Sequence, residues 1–121
     1  MVHNNRNSGL QAELEAGFGW YAQVVANLIE QLDSVPEGDG TMLDNTLILW
    51  ISEFGDGGTH DVTNLPVMLA GGVGRLEHGR HIRAAGKTTG DLYTSIFNLF
   101  GEQRDHFGRP ELCSGGIDGL A

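Results

Sequence analysis

Five polar residues in one glycine-rich loop are the best candidates for chemistry in this chain. An apolar run at residues 47–51 stops abruptly, and the next apolar run begins at residue 65. Between them lie three carboxylates, an imidazole and an amide: Glu53, Asp56, His60, Asp61 and Asn64. Two apolar strands joined by a polar loop are an arrangement with which α/β enzymes place a site at the edge of a sheet. The sequence therefore predicts a location for chemistry at this loop.

The donor types of this loop suit a divalent cation. A carboxylate such as that of Glu53, just past a strand end, binds Zn²⁺, Ca²⁺ or Mg²⁺. His60 lies seven residues later in a flexible stretch, and Asp56 and Asp61 would add oxygen ligands. We therefore predict a metal set of Glu53, His60, Asp56 and Asp61, with zinc or calcium as the cofactor and no assigned catalytic residue. Because the spacing matches no established metal motif, a solvated loop whose Asp and Gly residues only form turns is the alternative.

The elements around this loop follow an α/β pattern. Apolar residues repeat at helical spacing across residues 10–32, so we expect an amphipathic helix that packs broadly on a sheet. Residues 46–52 predict a strand that is apolar on both faces and therefore central, and residues 67–70 predict a shorter one. The two strands would lie in one sheet, with other strands between or beside them. A turn is expected at residues 37–40, between the helix and the first strand.

A second helix is predicted from its ends. Thr88 followed by Asp91 is a capping box, and Gly101 is a natural helix stop. We expect one domain spanning residues 1–121, with a loose N-terminus at 1–9 and a glycine-rich tail at 102–121. Its fold class is α/β, a small partial sheet with helices packed on it.

Bulk composition excludes several partners. Sixteen acidic against seven basic residues give a formal charge of −9. This field repels phosphate backbones and anionic lipid heads, so we expect neither nucleic acid nor a membrane surface as partner. No apolar stretch approaches the ~20 residues of a membrane span. The single cysteine, Cys113, has no second cysteine for an internal disulfide.

Basic residues and histidines cluster between the second strand and the second helix. Three arginines could face an anionic small molecule such as phosphate or sulfate, or could pair with neighbouring acids. Two histidines three residues apart would bind a metal only on a helix, which the glycine between them opposes. These residues are Arg75, Arg80, Arg83, His78 and His81.

Several motifs, in order, resemble the C-terminal half of the alkaline phosphatase and sulfatase superfamily. They are DNT at residues 44–46, SEFG at 52–55, His60, LPVMLAG at 65–71 and GDLYTSIFNLFG at 90–101. The resemblance implies an alkaline-phosphatase-like fold and metal-dependent hydrolysis of phosphate or sulfate esters. It aligns a metal-binding aspartate of the superfamily with Glu53 and a loop histidine with His60. A second metal-binding histidine of the superfamily aligns with Phe54, which cannot bind metal.

A closer resemblance is to a secreted bacterial family of planctomycetes and myxobacteria known as a domain of unknown function. EGDGTMLDNT at residues 37–46, NLPVMLAGG at 64–72, GRH at 79–81 and the ending at 107–120 match its pattern. The resemblance implies an extracytoplasmic protein, of which this chain is a C-terminal part, with a missing N-terminal half or a homo-oligomer completing it. Two functions are open: part of a metal-dependent ester hydrolase, and a non-catalytic binding or structural domain that retains the fold without a complete active site.

Overall fold

The chain forms two compact units, Met1–Gly71 and Gly72–Ala121. The computed structural model describes residues 8–73 and 76–120, so the expectations for residues 1–7 and for Arg75 lie outside the described residues. The predicted α/β class is confirmed at the level of two helices and two small antiparallel sheets. The elements are α1 (Ser8–Asp33), β1 (Pro36–Glu37), β2 (Gly40–Thr41), β3 (Ile48–Ile51), β4 (Val67–Ala70) and α2 (Thr89–Leu99).

Helix α1 begins earlier than predicted, at Ser8, and runs unbroken through Gly17 and Gly19. It ends at Asp33, where the Ser34 N–H still donates to the Glu30 carbonyl over 3.0 Å. The end agrees with the prediction, because the residue before a proline disfavours helical backbone and Pro36 follows closely.

The expectation that α1 packs broadly on a sheet is not met. None of its described side chains, from Leu10 to Asp33, is buried, and α1 lies instead against the 3₁₀ helix Met42–Asn45. The physical reason is size. A helix of 26 residues is about 39 Å long, whereas four-residue strands span only about 13 Å. The small sheet cannot cover the long apolar stripe.

The predicted turn at residues 37–40 is the tip of a small hairpin. Pro36 pairs with Thr41 and Glu37 pairs with Gly40, with Gly38 at φ +59°. After the hairpin, the Thr41 N–H donates to Asp44 Oδ2 over 2.7 Å and so caps the 3₁₀ helix. The two-residue strands are too short to leave a periodic pattern in the sequence.

Strands β3 and β4 are direct antiparallel neighbours. Ile48 pairs with Ala70 and Ile51 with Val67, in a sheet of these two strands among the described residues. The prediction for β4 matches its bounds, and β3 is shorter than predicted. The prediction that β3 is a central strand covered on both sides is wrong, because its side chains are only half-buried. The loop between the strands is therefore a hairpin loop, and not a crossover at the edge of a parallel sheet.

The C-terminal unit is built on α2. The predicted capping box is confirmed, since the Thr88 N–H donates to Asp91 Oδ2 over 2.9 Å and the Asp91 N–H donates to Thr88 Oγ1 over 3.3 Å. The predicted stop at Gly101 is also confirmed, at φ +82° just past the helix. Buried apolar side chains of this unit are Val73, Leu92, Leu99 and Leu120.

The tail after α2 is ordered without extended regular structure, as expected, apart from the 3₁₀ helix Pro110–Leu112. Three polar side chains of α2 hold it: Asn98 Oδ1 accepts the Arg104 N–H over 2.8 Å, and Asp91 and Ser95 hold the later part. The Ser114 N–H donates to Asp91 Oδ1 over 2.6 Å, and the Ile117 N–H donates to Ser95 Oγ over 2.7 Å. Polar atoms on one helix turn thus fix the path of a segment more than twenty residues away in sequence.

Candidate functional site

The loop between β3 and β4 folds back on itself as a narrow hairpin. Asp56 and Asp61 pair as an antiparallel bridge, in which the Asp61 N–H donates to the Asp56 carbonyl over 3.0 Å. The Gly55 N–H donates to the Asp61 carbonyl over 2.8 Å. A Cβ at Gly55 would collide with the Thr63 carbonyl, so the close approach of the two arms requires glycine here. The structure therefore brings Asp56 and Asp61 together through their backbones.

The carboxylate of Asp56 is used within this loop. Its Oδ1 accepts the Gly58 N–H over 2.7 Å and, at a longer 3.4 Å, the Thr59 N–H. A side-chain oxygen that accepts a backbone N–H two residues on is an Asx turn. Asp56 therefore stabilises a turn, which is the role that the alternative to metal binding predicts for it.

The carboxylate of Asp61 forms a second turn of the same kind. Its Oδ1 accepts the Thr63 N–H over 2.8 Å and the Thr63 hydroxyl over 2.7 Å. The Thr63 N–H, and after it the Thr63 hydroxyl, lowers the pKa of Asp61 below its ordinary value, against smaller opposing effects of burial and of Asp56. These bonds stabilise the charged carboxylate in its present position.

His60 lies against an aromatic ring. Its imidazole stacks on the Phe54 ring, with 4.9 Å between centroids and 17° between planes. The backbone of His60 is left-handed, at φ +57°, and Asn64 is also left-handed, at φ +52°. Histidine and asparagine are among the non-glycine residues most often found there. Phe54, which the sequence marks only as a departure from a metal-binding pattern, is a direct partner of the loop histidine.

Glu53 is exposed and lies between β3 and Phe54. The turn that carries it is held by the neighbouring serine, whose hydroxyl donates to the Phe54 carbonyl over 2.9 Å. Within residues 8–73 and 76–120, no three His, Cys, Asp or Glu side chains lie close enough to hold one metal ion. Two of the predicted ligand carboxylates accept loop N–H groups, and the imidazole stacks on Phe54, so each of these three side chains has a contact within the loop.

Of the two described arginines in the predicted basic cluster, Arg80 pairs with a neighbouring acid, as the ion-pair alternative expects. Arg80 Nη1 lies 3.0 Å from Glu77 Oε2, and Arg80 Nε–H donates to the Glu77 carbonyl over 3.1 Å. His78 and His81 are exposed on irregular backbone, with Gly79 between them at φ +71°. The two histidines therefore do not share a helix face.

Asp91 is the polar residue whose role the sequence reveals only in part. Asp91 is fully buried, and its carboxylate accepts hydrogen bonds from Thr88 and Ser114. Burial raises the pKa of Asp91, but N–H donors from Thr88 and Ser114, with both of their hydroxyls, outweigh burial and lower the pKa below its ordinary value. The capping role was readable from the Thr88–Asp91 spacing. The bond to Ser114 had no local signal.

The lowered pKa of Asp91 predicts acid sensitivity of the C-terminal unit. The carboxylate stabilises the fold at pH values above its unfolded pKa of about 3.9, and this stabilisation is lost as pH falls through the lower folded-state pKa. We expect the melting temperature to fall with pH below about 4. Circular dichroism melts from pH 2 to 7, on the native chain and on Asp91→Asn, measure it. The variant should be less stable at neutral pH and lose less on acidification, and an equal acid-induced loss in both would assign the effect to other carboxylates.

Comparison of the chain with protein-family models, curated proteins and solved structures found no match. Among the described residues, no helix is both long enough and apolar enough to cross a bilayer.

Proposed function

We propose that this chain is a non-catalytic binding or structural domain, related to the alkaline phosphatase and sulfatase superfamily but without a complete active site. The observation that supports it most is the use of the loop carboxylates. Asp56 and Asp61 each accept hydrogen bonds from N–H groups two residues ahead. A cation bound by these same oxygens would compete with hydrogen bonds that define the loop.

The Phe54–His60 pair supports the same proposal. Phe54 takes the place that a metal-binding histidine occupies in the superfamily pattern, and its ring stacks on His60. Stacked aromatic pairs contribute about 0.5–1.5 kcal/mol beyond their area burial. In this proposal, the loop keeps its path through an aromatic contact where a relative would use a metal ion.

The proposed relation to a protein family rests on the sequence motifs. The order of motifs from residue 37 to residue 120 supports a relation to the C-terminal portion of an alkaline-phosphatase-like fold, in a secreted bacterial family. An extracytoplasmic location and a missing N-terminal half follow from that relation. The contacts within the loop do not depend on that relation.

One feature favours the second candidate, a phosphate or sulfate ester hydrolase completed by further sequence. His60 and Asn64 both hold left-handed backbone in one short loop. Residues in such conformations cluster at functional sites. In that case Glu53 and His60 would be the residual ligands, and a bound metal ion would supply activation of a nucleophile.

Metal retention and ester hydrolysis distinguish the two candidates. The purified chain is incubated with zinc or calcium, dialysed, and analysed by mass spectrometry for metal and with p-nitrophenyl phosphate and sulfate for turnover. His60→Ala is compared with His106→Ala, a matched change at an exposed histidine of the other unit. We expect less than a tenth of an equivalent of metal and no turnover in all three proteins. Stoichiometric metal in the native chain and His106→Ala, lost in His60→Ala, would contradict the proposal.

A further inference from the structure

Helix α1 presents an apolar face that stays exposed among the described residues. Phe18, Trp20 and Tyr21 are 58%, 63% and 56% exposed, and Val24 and Leu28 are 45% exposed. Residues 16–29 contain no charged side chain. A helix that is apolar and uncharged over four turns is typical of one covered by another element.

Two glycines in this stretch have no close neighbour that would require glycine, as far as the described residues show. Each costs about 1 kcal/mol against alanine in a helix. A Cβ at Gly17 or at Gly19 would meet nothing within 4 Å. Gly17 lies on the same helix face as Tyr21, Val24 and Leu28, since the spacing is four, three and four. A missing Cβ on an exposed apolar face permits close approach of another chain.

We infer that α1 pairs with α1 of a second copy of this chain, antiparallel about a two-fold axis between Ala22 and Gln23. That axis places Gly17 opposite Leu28 of the second copy and Tyr21 opposite Val24 of the second copy. Both pairs then combine a large side chain with a smaller one, as close-packed surfaces require. The same helix face of each copy thus fits the other copy, as a two-fold interface requires.

The available area suits a dimer of this kind. Aromatic side chains bury about 150–250 Å² each, so three that are somewhat over half exposed, with Val24 and Leu28, supply at most about 500 Å² per copy, since Phe18 and Trp20 lie on opposite flanks of the face. The pair would bury at most about 1,000 Å², which is the size of a weak, transient interface. The dimer should therefore be reversible and of moderate affinity.

Charge sets the salt dependence of this association. The acidic residues of the described helix, Glu13, Glu15, Glu30 and Asp33, lie outside residues 16–29, towards the helix ends. Antiparallel pairing brings the acidic N-terminal part of one helix near the acidic C-terminal part of the other. Each copy also carries a formal charge of −9. Salt screens this repulsion, so the dissociation constant should fall as salt is raised from 0.05 to 0.5 M.

Sedimentation velocity of the full chain from about 1 to 100 μM tests the pairing, because moderate interfaces dissociate within that range. We expect a concentration-dependent monomer–dimer equilibrium. Val24→Glu should weaken it at least tenfold, whereas Gln23→Glu, which adds the same charge on the far side of the helix, should not. A native chain that stays monomeric at 100 μM, or equal effects of the two glutamates, would overturn the dimer.

A side-chain exchange tests the antiparallel register. Gly17→Leu should weaken the dimer at least tenfold even though it favours the helix, and Leu28→Gly should also weaken it. The double variant restores one large and one small residue at each contact and should recover most of the affinity, with circular dichroism confirming helix content. Failure to recover in a folded double variant would overturn this register. This partner specifies the proposed binding role, but sedimentation and metal retention are separate readouts, so either can fail alone.

Discussion

Gly71→Ala is expected to lower the free energy of unfolding of the N-terminal unit by about 3 kcal/mol or more. Gly71 is buried at φ +119°, directly after β4, and a Cβ there would collide with the Thr46 carbonyl just before β3. Alanine would therefore combine backbone strain with a clash against main-chain atoms that cannot rotate away. Urea denaturation followed by tryptophan fluorescence measures the loss, because Trp50 lies on β3.

Gly38→Ala is the control for this change. Gly38 also has a positive φ, +59°, but a Cβ there would meet nothing within 4 Å. Only the conformational strain remains, so we expect a loss of about 1 kcal/mol. Equal losses at Gly38 and Gly71 would show that the contact between the start of β3 and the end of β4 does not stabilise the hairpin.

Asp91→Ala is expected to destabilise the C-terminal unit by about 3 kcal/mol. The change removes the acceptor of the Thr88 N–H in the capping box and leaves the Ser114 N–H without its carboxylate acceptor. The tail from Ser114 onwards should detach before α2 melts, because Ser95 would then be the described α2 side chain that still holds this part, whereas Asn98 holds the tail at Arg104. Thermal denaturation by circular dichroism gives the stability, and limited proteolysis gives the exposure of the tail.

Asp118→Ala is the matched control, since Asp118 is an exposed aspartate in the same tail. Exposed substitutions of this kind usually change stability by less than about 0.5 kcal/mol. If Asp91→Ala were as mild as Asp118→Ala, and left the tail equally protected, the carboxylate would not be the anchor that its hydrogen bonds indicate.

Local chemistry explains which elements the sequence predicts well. The ends of α2 follow from Thr88, Asp91 and Gly101, because capping and stop residues act over one turn. The bounds of β4 follow from Pro66 and Gly71 in the same way. Each of these elements is delimited by residues within a few positions of its own ends.

Non-local packing explains what the sequence does not reveal. An apolar run indicates that β3 is a strand, but it does not say that β4 is its direct neighbour or that further strands are absent from the described sheet. The bond from Ser114 to Asp91 joins residues 23 positions apart and leaves no periodic signal. The apolar stripe of α1 indicates that one face of the helix favours burial, but it does not identify the surface that packs against this face.

The candidate loop also contains features that local sequence predicts and features that only the folded structure reveals. The turn-forming roles of Asp56 and Asp61 were open to prediction as the alternative to metal binding, because Asx turns act over two residues. The stacking of His60 on Phe54 depends on how the whole loop folds back, so no spacing rule exposes it. Residue types and spacing left a cation site and a turn-forming loop both open, and the hydrogen bonds of Asp56 and Asp61 are those of turns.

An NMR titration of the isotope-labelled chain with zinc and with calcium tests the role of this loop most directly. The amide signals of Gly58 and Thr63 report the N–H groups that Asp56 and Asp61 accept, and the ring signals of His60 report its contact with Phe54. We predict that these signals stay in place at equimolar metal, because the carboxylates remain bonded to their own loop. Saturating shifts of all three sets at one equivalent would show that the donors release the loop to bind a cation, and would contradict a non-catalytic domain without a metal centre.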